Sequence, residues 1–146
     1  MRVLATCLMA GALVAPAVMA DVEDQIEFRQ SYWQVVKHEF GDVMAAMLRE
    51  KRPMDEARFA EAADRVAALA GLAKETFPAG SMSDNSRALA KIWDEPDAFA
   101  KELATFEERA GALQVAVASQ DKAQIGQAVK AMGGSCKSCH DNFRAE

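Results

Sequence analysis

The sequence predicts an all-α fold: an antiparallel, up-down-up-down four-helix bundle. Three observations lead there. Four stretches of the 146-residue chain repeat apolar residues at the three- and four-residue spacing of a helix. None shows the alternation or the hairpin signals of a strand. The links between the stretches are mostly short, so consecutive helices run side by side in opposite directions. The length suffices for one compact domain and is too short for two ordinary ones, and no fixed-period repeat is present. Two tryptophans and seven phenylalanines supply large core anchors, with alanine filling between closely spaced helices.

Residues 1–20 read as a cleaved export signal. Arg2 supplies the positive start, "VLATCLMAGALVAPAV" the apolar run, and Val18 and Ala20 the small residues before the cut. The run is too short and too rich in alanine and glycine for a strong membrane span, so no membrane association is expected after cleavage. The remaining domain, 21–146, opens with a helical segment over 23–50. Its inward stripe runs Ile26, Arg29, Trp33, Val36, Phe40, Met44 and Met47, and Pro53 prevents its continuation. The second segment spans 55–77, with Phe59, Ala62, Val66, Leu69, Ala73 and Phe77 in a stripe. Asp55 and Glu56 suit the positive end of its dipole. A loop over 78–87 follows; it is long for a helix connection, as expected of a segment that covers something. "ALAKIW", 88–93, is a short apolar patch suited to the core. The third segment starts at Pro96, a residue at home in a first helical position, and carries Phe99, Leu103, Phe106, Ala110, Leu113 and Val117 to about 118. The fourth runs from about 121 to 144, with Ile125, Ala128, Met132, Cys136, Cys139 and Phe143 inward.

The formal net charge is −5, becoming −6 when the signal takes Arg2 with it, so no surface for nucleic acid is expected. Cleavage would leave two cysteines, Cys136 and Cys139, in a chain bound for an oxidising compartment. They lie in "CKSCH", 136–140, and three chemistries use such a motif. A dithiol redox pair usually follows a strand in a mixed sheet, and no strand is predicted. A structural zinc site needs four ligands, for which only Cys136, Cys139, His140 and His38 are available. Covalent haem attachment joins both thiols to the porphyrin vinyl groups and sets the adjoining imidazole on the iron. One helical turn carries all three groups past the same porphyrin edge and face. The export signal, the all-helical pattern and the lack of any other mature cysteine favour this third reading.

Two further features bear on it. Arg29 interrupts the apolar stripe of the first segment, and a charge there needs a partner. Either it reaches an aspartate, a glutamate or solvent at the bundle edge, or it grips a haem propionate through its planar fork, with Gln30 beside it. Gly133 and Gly134 cost the fourth helix about 1 kcal/mol each relative to alanine. Close approach of the backbone to a flat ligand would justify them, and so would a harmless kink.

"FRQSYW" over 28–33, "IW" at 92–93 and "CKSCHDNFR" over 136–144 together resemble the cytochromes c prime, and the resemblance spans 21–146. It implies a bacterial periplasmic haem protein with a four-helix-bundle fold, usually a homodimer, holding one covalent haem c. Position by position it implies thioether bonds at Cys136 and Cys139, axial ligation by His140, and Arg144 lying over that imidazole. It likewise implies propionate binding by Arg29 and Gln30. Ile92 and Trp93 match a haem-edge patch, though a plain core role suits them equally. Trp33 falls at the family's distal position, where Leu, Phe, Tyr or Met is usual.

Haem chemistry turns on whether the sixth iron position is filled. Indole cannot ligate iron. Met44 and Met47 lie roughly three to four turns farther along the helix, and His38 points to another side of it, so these read as core filler and a surface residue. The iron is therefore expected to be five-coordinate and high-spin, with an apolar distal side open to small neutral diatomics. The resemblance points to nitric oxide, with a role in its tolerance or transport, and to electron transfer with an unidentified redox partner. Trp33, a bulky planar cover that must move before a diatomic binds, is expected to make carbon monoxide binding weaker. The acid–base pair of an enzyme is lacking, so no catalytic activity is expected. The alternative is a low-spin electron carrier without gas binding. Phe28, Tyr32 and Val35, apolar but off the inward stripe, offer a two-fold interface for the homodimer.

Overall fold

The computed structural model describes residues 22–146, and the predicted export signal lies outside them. Helix α1 (Val22–Lys37) runs without a break into a π-helical turn (His38–Met44) and a last α-turn, α2 (Ala45–Leu48). Helix α3 (Glu56–Ala70) is followed by a 3₁₀ turn (Ala73–Thr76) and the short α4 (Lys91–Asp94). Two long helices complete the chain, α5 (Pro96–Ala118) and α6 (Lys122–Phe143). The first rod, α1 through α2, and the rods α3, α5 and α6 form the expected up-down-up-down bundle.

Local chemistry starts these helices. The Asp55 carboxylate caps α3 by accepting from the Arg58 N–H at 3.0 Å, and Asp121 caps α6 by accepting from the N–H groups of Ala123 and Gln124. Pro96 opens α5. The core between the rods is built on Met44, Val66, Leu113 and Met132, all fully buried. Met44 and Met47 are core residues, as expected, and His38 is exposed, 4.0 Å from Asp42.

The antiparallel order decides where the site sits. Helix α1 begins at the end where α3 finishes, α5 begins and α6 finishes. The short links, 49–55 and 119–121, close the opposite end, while the long connection 71–95 crosses the near end. Residues from four distant parts of the sequence therefore meet at one end of the bundle.

Four sequence expectations need correction. The first segment is not uniformly α-helical: the π turn widens the helix around Gly41. Glu39 lies on its buried side, 4% exposed, while Phe40 is only half-buried. The Glu39 carboxylate accepts from Arg58 Nη2 at 2.6 Å and Arg65 Nη1 at 3.1 Å. Burial alone would raise this carboxyl, but the hydrogen bonds and charges of Arg58 and Arg65 outweigh it and hold it below its ordinary value. Tyr32 is not on an outward face: it is buried, and its hydroxyl donates to the Leu69 carbonyl at 2.7 Å. The second segment ends its α-helix at Ala70, and a 3₁₀ turn carries the chain on to Phe77. At Gly133 and Gly134, α6 continues without interruption.

Candidate functional site

The last turns of α6 present Cys136, Cys139 and His140 to a cavity of about 370 Å³ at the near end of the bundle, within the size range of cofactor pockets. The far walls are apolar: Trp33 from α1, Phe77 beyond the 3₁₀ turn, Ile92 from α4, and Phe99, Leu103 and Phe106 from α5. These rings brace one another. Phe99 stands edge-on to both Phe77, at 4.8 Å between centroids, and Phe143, at 5.1 Å. Trp33 packs at 5.0 Å on Tyr32 and 5.4 Å on Phe106.

Both cysteines are free and half-buried. Burial raises the Cys136 thiol; it raises Cys139 to about 11, helped by the charges of Glu102 and Cys136. Before haem attachment, both are therefore neutral thiols at neutral pH. For His140, burial comes first, and the positive charges of Arg144 and Arg87 add to it; together they lower its pKa against the opposing charge of Asp141. The imidazole is thus held neutral, the form that binds a metal. Arg144 stands 3.5 Å from its Nδ1, one helical turn on.

Arg29 is 3% exposed. Its partners are not carboxylates, which corrects one of the two readings of the sequence. Nη1 donates to Ser81 Oγ at 3.1 Å, and Nη2 to the Ser81 carbonyl at 2.9 Å and Ser86 Oγ at 3.2 Å. The guanidinium also lies 5.1 Å from the Phe77 ring and 5.8 Å from that of Trp93. The long loop thus covers the arginine. Its Nε is buried without a partner among the described residues, and Arg29 lines the cavity. Gln30, exposed at the rim, donates to the Asn85 carbonyl at 3.4 Å. The connection is fastened to the end of α6 as well. Leu89 N–H donates to the Phe143 carbonyl at 3.0 Å, Ala145 N–H to that of Arg87 at 2.8 Å, and Arg87 Nη2 to that of Ala145 at 2.7 Å.

Ile92 is buried and lines the cavity; Trp93 does not, and instead donates to the Pro78 carbonyl at 3.0 Å. The remaining site residues had no separate signal in the sequence. Thr76, Ser81 and Ser86 are small hydroxyl residues whose partners lie some fifty positions away. Glu102 falls outside the apolar stripe of α5, yet it lines the cavity and accepts from Ser138 Oγ at 2.9 Å.

Zinc finds no fourth ligand here: among the described residues no group of three or more His, Cys, Asp and Glu side chains could hold a metal ion. A haem fits better. The apolar slot suits a flat macrocycle, two thiols and a neutral imidazole face it along one helix turn, and a buried guanidinium with an unused donor waits at its edge. A four-helix bundle ending in this arrangement is a c-type cytochrome of the helical-bundle class.

The comparisons with known proteins agree. A family model described as Cytochrome C' matches residues 24–144. The cytochrome c' of Cereibacter sphaeroides is 38% identical, over 99% of this chain and 98% of its own. Among solved structures, cytochrome c prime from Shewanella frigidimarina is 41% identical, with a TM-score of 0.82 over 88% of this chain and 99% of that one. A nitric oxide complex of a leucine mutant of cytochrome c prime from Alcaligenes xylosoxidans is 26% identical, with a TM-score of 0.79 over 88% of this chain and 98% of that one. The chain belongs to the cytochrome c' family and carries a covalently attached haem c. Among the described residues, no helix is long and apolar enough to cross a membrane.

Proposed function

We propose that this protein is a periplasmic gas-binding cytochrome with a five-coordinate, high-spin haem, taking up nitric oxide and, more weakly, carbon monoxide. Cys136 and Cys139 form the thioether links, and His140 is the axial ligand. Arg144 lies over that imidazole, Arg29 and Gln30 bind a propionate, and Trp33 covers the distal side. When bound, the haem supplies an iron that takes neutral diatomics and exchanges one electron. Nitric oxide tolerance or transport is the physiological role, with electron transfer to an unidentified partner beside it. In this reading the protein acts by binding ligands and passing electrons, not as an enzyme.

The observation that carries this reading is the composition of the cavity wall. Beyond His140, the described residues that line it include no methionine, histidine or lysine to fill a second axial position. Met44 and Met132 are fully buried elsewhere in the core. The indole N–H of Trp33 donates to Thr76 Oγ1 at 3.2 Å, so no free donor on Trp33 favours bound dioxygen. Nitric oxide and carbon monoxide need none. The Alcaligenes xylosoxidans relative has been solved with nitric oxide and, as a different variant, with carbon monoxide, which supports the same ligand class here.

Visible spectra of the ferric and ferrous protein, with and without carbon monoxide, test the reading. A high-spin spectrum that shifts on gas addition is expected. A low-spin ferrous spectrum that carbon monoxide leaves unchanged would instead mark an electron carrier without gas binding.

A further inference from the structure

We infer that Thr76 is a positioning residue that sets how readily small ligands enter the distal side, by holding the Trp33 indole in place. This rests on the distal reading of Trp33 given above. Thr76 is the last residue of the 3₁₀ turn, fully buried, and 43 positions from Trp33. Its hydroxyl proton is committed, because Thr76 Oγ1 donates to the Ala73 carbonyl at 2.8 Å. What remains on that oxygen is acceptor capacity. An indole nitrogen can only donate, so the direction of the contact is fixed: Trp33 Nε1–H donates to Thr76, and Thr76 donates to Ala73. Arg29 Nη1 reaches the Thr76 carbonyl at 3.5 Å. Arg29 and Trp33, one turn apart on α1, therefore converge on the same residue of another element.

The consequence is specific to a tryptophan at this position. An aliphatic or phenyl side chain there could turn aside against apolar neighbours alone. The indole must also give up its hydrogen bond to Thr76, whose side chain is fully buried, and leaving that bond unmade is costly. Tyr32, Phe106 and Phe77 limit its other movements, at ring separations of 5.0, 5.4 and 6.3 Å. Thr76 thus favours ligands that bind strongly enough to displace the bonded indole and selects against weaker ones.

The test uses haem-loaded protein and three substitutions, Thr76→Val, Thr76→Ser and Trp33→Ala. Thr76→Ala replaces Thr76→Val should valine disturb haem uptake. Ultraviolet resonance Raman spectra report hydrogen bonding of the indole, with a Trp93→Phe background isolating Trp33. Carbon monoxide association is followed in parallel after flash photolysis. Thr76→Val should shift the Trp33 signal to the unbonded position and speed association about three- to tenfold, the range set by one net hydrogen bond. Thr76→Ser, which keeps the hydroxyl, should return both readouts to wild type. An unmoved indole signal in Thr76→Val, or a moved signal with an unchanged rate, overturns the assignment. If Trp33→Ala speeds association and Thr76→Val does not, Thr76 alone loses its role. If Trp33→Ala also changes nothing, the distal reading itself has failed and takes this inference with it.

Discussion

Glu39 carries a negative charge into the core, and Arg58 and Arg65 accompany it. Because its carboxyl is lowered in the folded state, its contribution is fully present above the ordinary value of 4.5 and disappears as pH falls through the lower folded value. Wild-type holoprotein should therefore lose thermal stability below about pH 4.5 more steeply than Glu39→Gln, measured by circular dichroism. At neutral pH, Glu39→Ala should cost about 2–3 kcal/mol in urea unfolding, because it strands a half-buried Arg58. A second prediction concerns Cys139. Cys139→Ala leaves one thiol for attachment, so the yield of haem-bearing protein should fall and single-link species should appear by intact mass. A mature, haem-free wild-type protein with a Cys136–Cys139 disulfide would contradict the attachment scheme. The two residues differ in legibility for a physical reason. Cys136, Cys139 and His140 announce themselves by local spacing. Arg29 and Trp33 stand out because a helical stripe can be counted from neighbour to neighbour. Glu39 sits where that count places Phe40, and Ser81 and Thr76 act through partners that no local pattern names.

At the level of elements, the four rods were readable because each buries a stripe at helical spacing and most are bounded by Asp or Pro signals. The π turn was not. A helix that accepts an extra residue in one turn still shows apolar residues at nearly the expected intervals on either side. The 3₁₀ turn after α3 escaped for a related reason, since Ala73 and Phe77 fit the spacing of a continuing helix. The glycines of α6 provide a test at this scale. A Cβ added at Gly134 would meet nothing within 4 Å, and one at Gly133 only the Phe40 ring edge at 4.0 Å. If the backbone is as open when haem is present, Gly134→Ala should raise holoprotein stability by about 0.5–1 kcal/mol through helix propensity, with haem content unchanged. A loss of haem retention would instead show that the ligand comes close enough to require glycine.

For the whole molecule, the exposed apolar residues bear on assembly. Phe28 and Val35, two turns apart on α1, are 52% and 47% exposed, while Tyr32 is withdrawn into the core and contributes nothing outward. A dimer through this face of α1 should appear in sedimentation of micromolar holoprotein. Phe28→Glu should shift it to monomer without changing the haem spectrum. A wild-type protein that stays monomeric would show that these side chains are simply tolerated on the surface.

The two short links lie at the same end of the bundle, away from the haem slot. Mechanically, the chain is two helical hairpins hinged at that end, like a pair of tweezers whose tips hold the slot. The 71–95 connection ties one pair of tips together, with Arg29 and Arg87 as its clasps. Small opening motions should spread from the tips rather than from the hinges, because the ends of α1 and α6 there are tied to the 71–95 connection by contacts distant in sequence. Hydrogen exchange of the holoprotein should accordingly find the slowest amides around Met44, Leu113 and Met132. The amides of the first turns of α1 and of the 78–87 loop should exchange by local opening. A covalently held ligand is well matched to such a site: each time the tips part, it stays behind.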